Sequence, residues 1–186
     1  MIRPWLTPPT GPRADLAARI AAPVPVIETE RLRLRAPRIG DFETWEAIVR
    51  DAGGTGPDNA VAPAGAWLEF CELVAGWILR GHGLFAAETR KDARLVGFIT
   101  LDHEQGDPEP ELGWFLIPEA RGIGLATEGA TAIRDLAFGR LAMPALVSYA
   151  DPDNAPSIAV ARRLGATAEG PCDGCAVLRH HHGGAA

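Results

Sequence analysis

Between residues 111 and 128 the chain runs an extended apolar segment into Pro118, turns through Arg121-Gly122-Ile123-Gly124, and continues at helical spacing through Leu125-Ala126-Thr127-Glu128. A further extended segment follows at residues 145–149. A strand that feeds a helix and then another strand requires a crossover, so the two strands are expected to lie parallel or nearly so, with a right-handed connection. This unit constrains the chain more than any other feature.

The remaining patterns fill in around it. Residues 31–35, Arg-Leu-Arg-Leu-Arg, alternate polar and apolar and predict a half-buried strand. Asp41 is placed to cap a helix in which Phe42, Trp45, Ile48 and Val49 share one face. Residues 51–63 are rich in Gly, Pro, Asp and Asn and read as a loop. A helix is predicted over residues 64–80, with Trp67, Leu68, Cys71, Val74, Ala75 and Ile78 at helical spacing and Gly81 and Gly83 ending it. Strands follow at residues 84–88, 95–101 and 111–117, with an acidic loop at 102–110. A helix runs from about Gly124 to Phe138, and another covers residues 154–164 up to Gly165. Residues 166–169 and 176–179 form a closing hairpin. The expected order is β α α β β β α β α β β, an α/β (α+β) fold with a central mixed sheet flanked by helices.

Five prolines fall within residues 1–23, which read as a flexible tail, with a short helix near Ala14 to Ala21. Residues 24–182 then form a single domain, and 183–186 are the chain's end.

The glycine turn carries the first chemistry. The amides at a helix start have no internal partners, and the helix dipole adds partial positive charge there. Such a turn suits phosphate, and Gly122 and Gly124 remove side chains that would block its approach. Arg121 adds a charge. A dinucleotide fold would place this turn after the first strand and put a third glycine at position 127, which is Thr. A nucleotide-dependent oxidoreductase is therefore disfavoured.

Composition narrows the partners. With 24 acidic and 18 basic residues the net charge is −6, and no basic stripe suits nucleic acid. No apolar run reaches the length of a membrane span, and the N-terminus lacks a signal peptide's apolar core, so a cytoplasmic protein is expected. Cys172 and Cys175, with His180, His181 and His182 behind them, could in principle gather zinc. A second ligand pair at zinc-site spacing is absent, so a hairpin turn with no metal is the reading adopted.

Several segments together resemble one family. They are residues 29–35, Gly81-His82-Gly83, Val96-Gly97-Phe98-Ile99, Gly113-Trp114-Phe115-Leu116-Ile117-Pro118, the run from Arg121 to Glu128, Asn154-Ala155-Pro156-Ser157 and Arg163-Leu164-Gly165. In this order they are similar to GCN5-related N-acetyltransferases, in the branch typified by ribosomal-protein alanine acetyltransferases, over roughly residues 27–179. The resemblance implies acetyl-CoA as co-substrate. Backbone groups of Phe115, Leu116 and Ile117 would pair with the pantetheine arm. Amides from Arg121, Gly122, Ile123, Gly124, Leu125, Ala126 and Thr127 would hold the pyrophosphate. Asn154 would approach the pantetheine, Ser157 would lie near the sulfur, and Arg163 would reach the nucleotide end. Asn154 and Pro156 equally suit the start of a helix.

The implied reaction is acetyl transfer to a primary amine, on a protein N-terminus or a small molecule. An α-amine with pKa 7.7–8.0 is roughly a tenth to a sixth neutral at pH 7, whereas a lysine amine is neutral about once in 2,500. A general base helps the first and matters more for the second. A backbone amide on the 111–117 strand would stabilise the thioester oxygen as it gains charge. Glu111 is the first candidate base, with Glu104 and His103 behind it. Ser157 would protonate or orient the departing thiolate. The wider family often uses a helical tyrosine for that step, but Tyr149, the chain's one tyrosine, lies on a strand. The acidic residues Glu104, Asp107 and Glu109 suggest a cationic acceptor. The alternative is a non-catalytic acyl-CoA sensing domain of the same fold. A homodimer is compatible with all of this.

Overall fold

The computed structural model describes residues 3–51, 63–172 and 174–182. The predicted loop at 51–63 lies almost wholly outside them. Helix α1 (Pro12–Ala21) precedes strands β1 (Ile27–Glu28) and β2 (Leu32–Arg35). Helices α2 (Phe42–Asp51) and α3 (Pro63–Leu79) follow, then β3 (Leu84–Thr89), β4 (Leu95–Asp102) and β5 (Glu111–Leu116). The chain continues with α4 (Leu125–Gly139), β6 (Val147–Ala150), α5 (Ala155–Arg163), β7 (Thr167–Ala168) and β8 (Ala176–Arg179). The eight strands form one sheet in the order β1-β2-β3-β4-β5-β6-β8-β7. Every neighbouring pair is antiparallel except β5 and β6, which meet in parallel as the strand–helix–strand unit requires. No helix among the described residues is long and apolar enough to cross a membrane.

Alternation along the strands divides the sheet's faces. Leu32, Leu34, Phe85, Ile99, Leu101 and Leu112 pack with Ile133 and Ala137 of α4. Leu84, Ala86 and Phe98 instead meet Phe42 and Trp45 of α2 and Phe70 and Leu73 of α3. A smaller cluster of Ala150, Ala161, Ala166 and Leu178 seats α5 on the closing hairpin. The one charged residue of β2 that points inward, Arg35, is 5% exposed. Asp41 takes it bidentately at 2.7 and 3.0 Å, and Glu88 accepts from its Nε at 2.6 Å, so the buried charge is compensated.

Two predicted details change. Asp41 lies in a 3-10 turn, Ile39–Asp41, and its carboxylate takes the Arg38 amide rather than capping α2 directly. The face of α3 is rotated. Ala66, Phe70 and Leu73 are buried, while Leu68 and Ile78 are 67% and 73% exposed. This helix is apolar on nearly every side, so spacing could not phase it.

Within the N-terminal segment, residues 3–6 touch the domain. Leu6 is buried, Trp5 packs edge-on to Trp67 at 4.8 Å, and Arg3 forms a forked pair with Glu46 at 2.8 and 3.0 Å. Helix α1 buries no side chain.

Candidate active site

Strands β5 and β6 pair at Glu111↔Val147 and then part. The other side of β5 stays zipped to β4 from Glu111 to Leu116, with the Ile117 amide reaching Val96 O at 3.1 Å. That bond sets the phase of the ladder. Gly113 and Phe115 turn their backbone groups toward β4, as does the Ile117 amide, while Trp114 and Leu116 turn theirs to the open edge. Of the residues expected to offer backbone to the pantetheine, Leu116 faces the open edge together with Trp114, whereas Phe115 faces β4 and Ile117 gives its amide to Val96 O and its carbonyl to the Ala120 amide. Leu116 O is itself taken by Arg121 Nε at 2.9 Å. Among the described residues, the groups on the edge with no partner are the Trp114 N–H and C=O and the Leu116 N–H.

Beyond Ile117, a 3-10 turn over Pro118–Ala120 leads into the glycine turn. Gly122 has φ +75° and Gly124 φ +85°, a region open to glycine at little cost. A side chain at Gly122 would meet nothing within 4 Å, so the space before the helix is clear. Among the described residues, the amides of Gly122, Ile123, Gly124, Leu125, Ala126 and Thr127 have no hydrogen-bond partner. The Arg121 amide differs from expectation, being used by Pro118 O at 3.2 Å. The Arg121 side chain also has internal partners, Leu116 O and Asp51 at 2.8 Å. The open amides at the N-terminus of a fifteen-residue helix fit an anionic diphosphate.

A clamp not visible in sequence fixes this cradle. Glu128, in the first turn of α4, accepts from Thr29 Oγ1 at 2.5 Å, from the Arg31 amide at 2.7 Å and from Arg31 Nε at 2.6 Å. Arg31 Nη1 then reaches Ile123 O, inside the turn, at 2.8 Å. These donors hold the Glu128 carboxyl below its usual range despite its partial burial.

Helix α5 begins differently. Asn154 Oδ1 accepts from the Ser157 amide at 3.1 Å, and Asn154 O accepts from the Ile158 amide. Asp151 and Asp153 take the amides ahead of it. The Ser157 hydroxyl has no partner among the described residues and is half-buried. Arg163 is exposed at the far end of the same helix.

Glu111 stands where β5 and β6 part. Its Oε1 accepts from the Tyr149 amide at 3.2 Å, and Oε2 has no partner among the described residues. Burial pushes its carboxyl up to about 7, the Tyr149 amide works against this, and the negative charges of Glu104, Asp107 and Asp102 push it further up. By strand alternation Glu111 shares the α2/α3 face with Phe115, whose ring lies 5.0 Å from that of Trp45. On that face α3 contributes Glu69, also raised to about 7 by burial and then by Glu104 and Glu72. Glu69 went unnoticed in sequence; its signal is a pair of carboxylates, Glu69 and Glu72, three apart on an otherwise apolar helix. Tyr149 is half-buried on β6, its phenol pushed up by burial and by Asp107, Cys172, Glu111 and Glu109. Of the other candidate bases, His103 Nε2 pairs with Asp107 O at 2.9 Å and Glu104 is exposed.

The C-terminal histidines diverge. His180 is buried against Ser148 at 2.9 Å, His181 meets Thr167 Oγ1 at 2.8 Å, and His182 packs on the Phe138 ring. Cys172 and Cys175 face each other across a turn through reciprocal backbone bonds of 3.1 and 2.9 Å. Among the described residues no group of three or more candidate ligands could hold a metal ion.

Comparison with known proteins agrees with this arrangement. A sequence model of the acetyltransferase (GNAT) domain matches residues 31–167. An acetyltransferase structure from Agrobacterium tumefaciens str. C58 is 37% identical with a TM-score of 0.78, covering 86% of this chain and 95% of that one. The uncharacterized N-acetyltransferase YnaD of Bacillus subtilis (strain 168) is 26% identical over 148 residues, 77% of this chain and 84% of YnaD. In fold alone, the ribosomal L7/L12 alpha-N-protein acetyltransferase RimL in complex with coenzyme A is similar, at 17% identity and a TM-score of 0.64, with 84% of this chain and 95% of that one covered. A parted sheet, a row of open amides at a helix start and these matches lead to one conclusion: the chain belongs to the GNAT acetyltransferase family, as an acetyl-CoA-dependent N-acetyltransferase.

Proposed function

We propose that the chain acetylates a cationic primary amine, with Glu111 as general base. The observation that carries this reading is a carboxyl raised to about 7 at the point where β5 and β6 part, beside an open strand edge. The amides of residues 122–127 would hold the pyrophosphate, with Arg121 lining the turn. The free backbone groups of Trp114 and Leu116 would hold the pantetheine, with Asn154 and Ser157 bordering it and Arg163 toward the nucleotide. Acetyl-CoA supplies an activated thioester. Glu111 Oε2 takes the proton that the ammonium must lose before its nitrogen can attack, while Oε1 stays anchored to Tyr149 N–H. An open-edge amide, Trp114 or Leu116, donates to the carbonyl oxygen as it gains charge. The Ser157 hydroxyl, or the Tyr149 phenol, returns a proton to the leaving sulfur. Glu69, Glu72, Glu104 and Asp107 form the negative approach that favours a cation.

A panel of cationic and uncharged amines, namely N-terminal peptides, polyamines and aminoglycosides, assayed by thiol release and product mass, tests the reading. Below pH 7 the carboxyl of Glu111 is protonated and the base is lost, so kcat/KM is expected to rise as pH passes about 7. Glu111→Gln keeps an acceptor for the Tyr149 amide but removes the base. It should lower kcat about 100-fold or more and abolish that limb. Coenzyme A binding with no turnover on any amine would instead identify a sensing domain.

A further inference from the structure

The parallel ladder between β5 and β6 stops at a definable rung. Val147 N–H donates to Pro110 O at 3.0 Å, and with Glu111 paired to Val147 the next inter-strand bond would run from Tyr149 N–H to Leu112 O. Both of those groups are taken by side chains instead. Tyr149 N–H goes to Glu111 Oε1 at 3.2 Å, and Leu112 O accepts from Ser148 Oγ at 2.5 Å.

We infer that Glu111 and Ser148 cap this rung from opposite sides and so hold the two strands apart, making Ser148 a positioning residue for the cleft between them. The inference rests on the reading of that cleft as the coenzyme A slot. A carbonyl can only accept, so the Ser148 hydroxyl must donate to Leu112 O, and its oxygen is then left to accept from His180 Nε2 at 2.9 Å. That bond aims the hydroxyl. Ser148 is 2% exposed and His180 3%, so the pair is shielded from bulk solvent. Burial holds the His180 ring well below its usual range, at about 4, so it stays neutral at ordinary pH and its single proton sits on Nε2. A buried backbone group left unpaired is unfavourable, which is the force that would close the rung if the caps were absent. With the caps in place, the Trp114 and Leu116 edge stays unpaired and available.

Closure of the rung can be seen directly, as a through-hydrogen-bond scalar coupling between Tyr149 N and Leu112 C′ by NMR. Coenzyme A affinity is measured by calorimetry on the same full-length samples. The wild type and Ser148→Thr, which keeps the hydroxyl, should show no coupling and equal affinity. Glu111→Ala with Ser148→Ala should show the coupling and bind coenzyme A about 10-fold or more weakly. If that double variant is not recovered folded, Ser148→Cys, a weaker donor of similar size, should show the coupling in part and a smaller loss. A lowered melting temperature with no coupling, or coupling with unchanged affinity, overturns the inference. A wild type that does not bind coenzyme A refutes the reading of the slot, and the coupling then decides the rung by itself.

Discussion

The two helices that border the cleft, α4 and α5, begin in opposite ways. Helix α5 arrives with its first turn satisfied: Asn154 Oδ1 holds the Ser157 amide and aspartates hold the amides before it. Helix α4 starts from Gly124 with no side-chain cap, and the amides of residues 122–127 have no partner among the described residues. A capped helix start is complete and serves the fold. An uncapped one keeps its donors for something outside the chain, and here a cluster around Arg31 holds the turn steady so that they stay aligned. In sequence Asn154 already suits a cap, whereas the glycine turn offers none; the hydrogen bonds show that difference directly.

The contrast can be broken by substitution. The largest effect is expected at Gly124, where φ is +85° and an added Cβ would lie 3.3 Å from Arg31 Nη2. Gly124→Val adds a β-branched side chain in a left-handed conformation, a strain of about 1–3 kcal/mol, and crowds the cradle. Calorimetry should show coenzyme A affinity lowered about 100-fold. Next comes Glu128→Ala, which leaves every amide in place but releases Arg31 and with it Ile123 O. About a 10-fold loss of affinity is expected, the equivalent of about 1.4 kcal/mol; no loss would mean the turn holds its shape unaided. The smallest effect on binding belongs to Asn154→Ala. Losing that cap should cost about 1 kcal/mol of stability and about 2–4 °C in melting temperature, with affinity shifting about twofold. Should Asn154→Ala weaken binding as much as Gly124→Val, the distinction between the two helix starts fails.

Much of the frame was legible because local patterns and global packing agree. The alternation of Leu32 and Leu34, the stripe of Phe42, Trp45, Ile48 and Val49, and Pro118 before the glycine turn each specify one element and one orientation. Legibility failed where pattern carried no phase. Leu68, Ile78 and Leu79 make α3 apolar on its outer side too, so its buried face could not be read. It failed again where one rung of register decides. Whether Phe115 or Trp114 offers its backbone to the cleft depends on the pairing with β4, which no spacing within β5 reveals. Ser148 and His180 look like an ordinary strand serine and one of three terminal histidines until the fold stacks β8 beside β6. Glu111 was legible as a candidate, but not its bond to Tyr149.

The Arg31–Glu128 contact joins residues 97 positions apart. The clamp on the cradle therefore does not exist in any local fragment; it forms only when the residues ahead of β2 and the start of α4 have come together. Ligand capture then reports on completed folding and reinforces it in turn. With ligand at a hundred times its dissociation constant, the native state gains about 2.7 kcal/mol over the unfolded chain. A protein of this design would be most resistant to unfolding and proteolysis when its co-substrate is abundant, and its persistence would track the supply of the molecule it consumes.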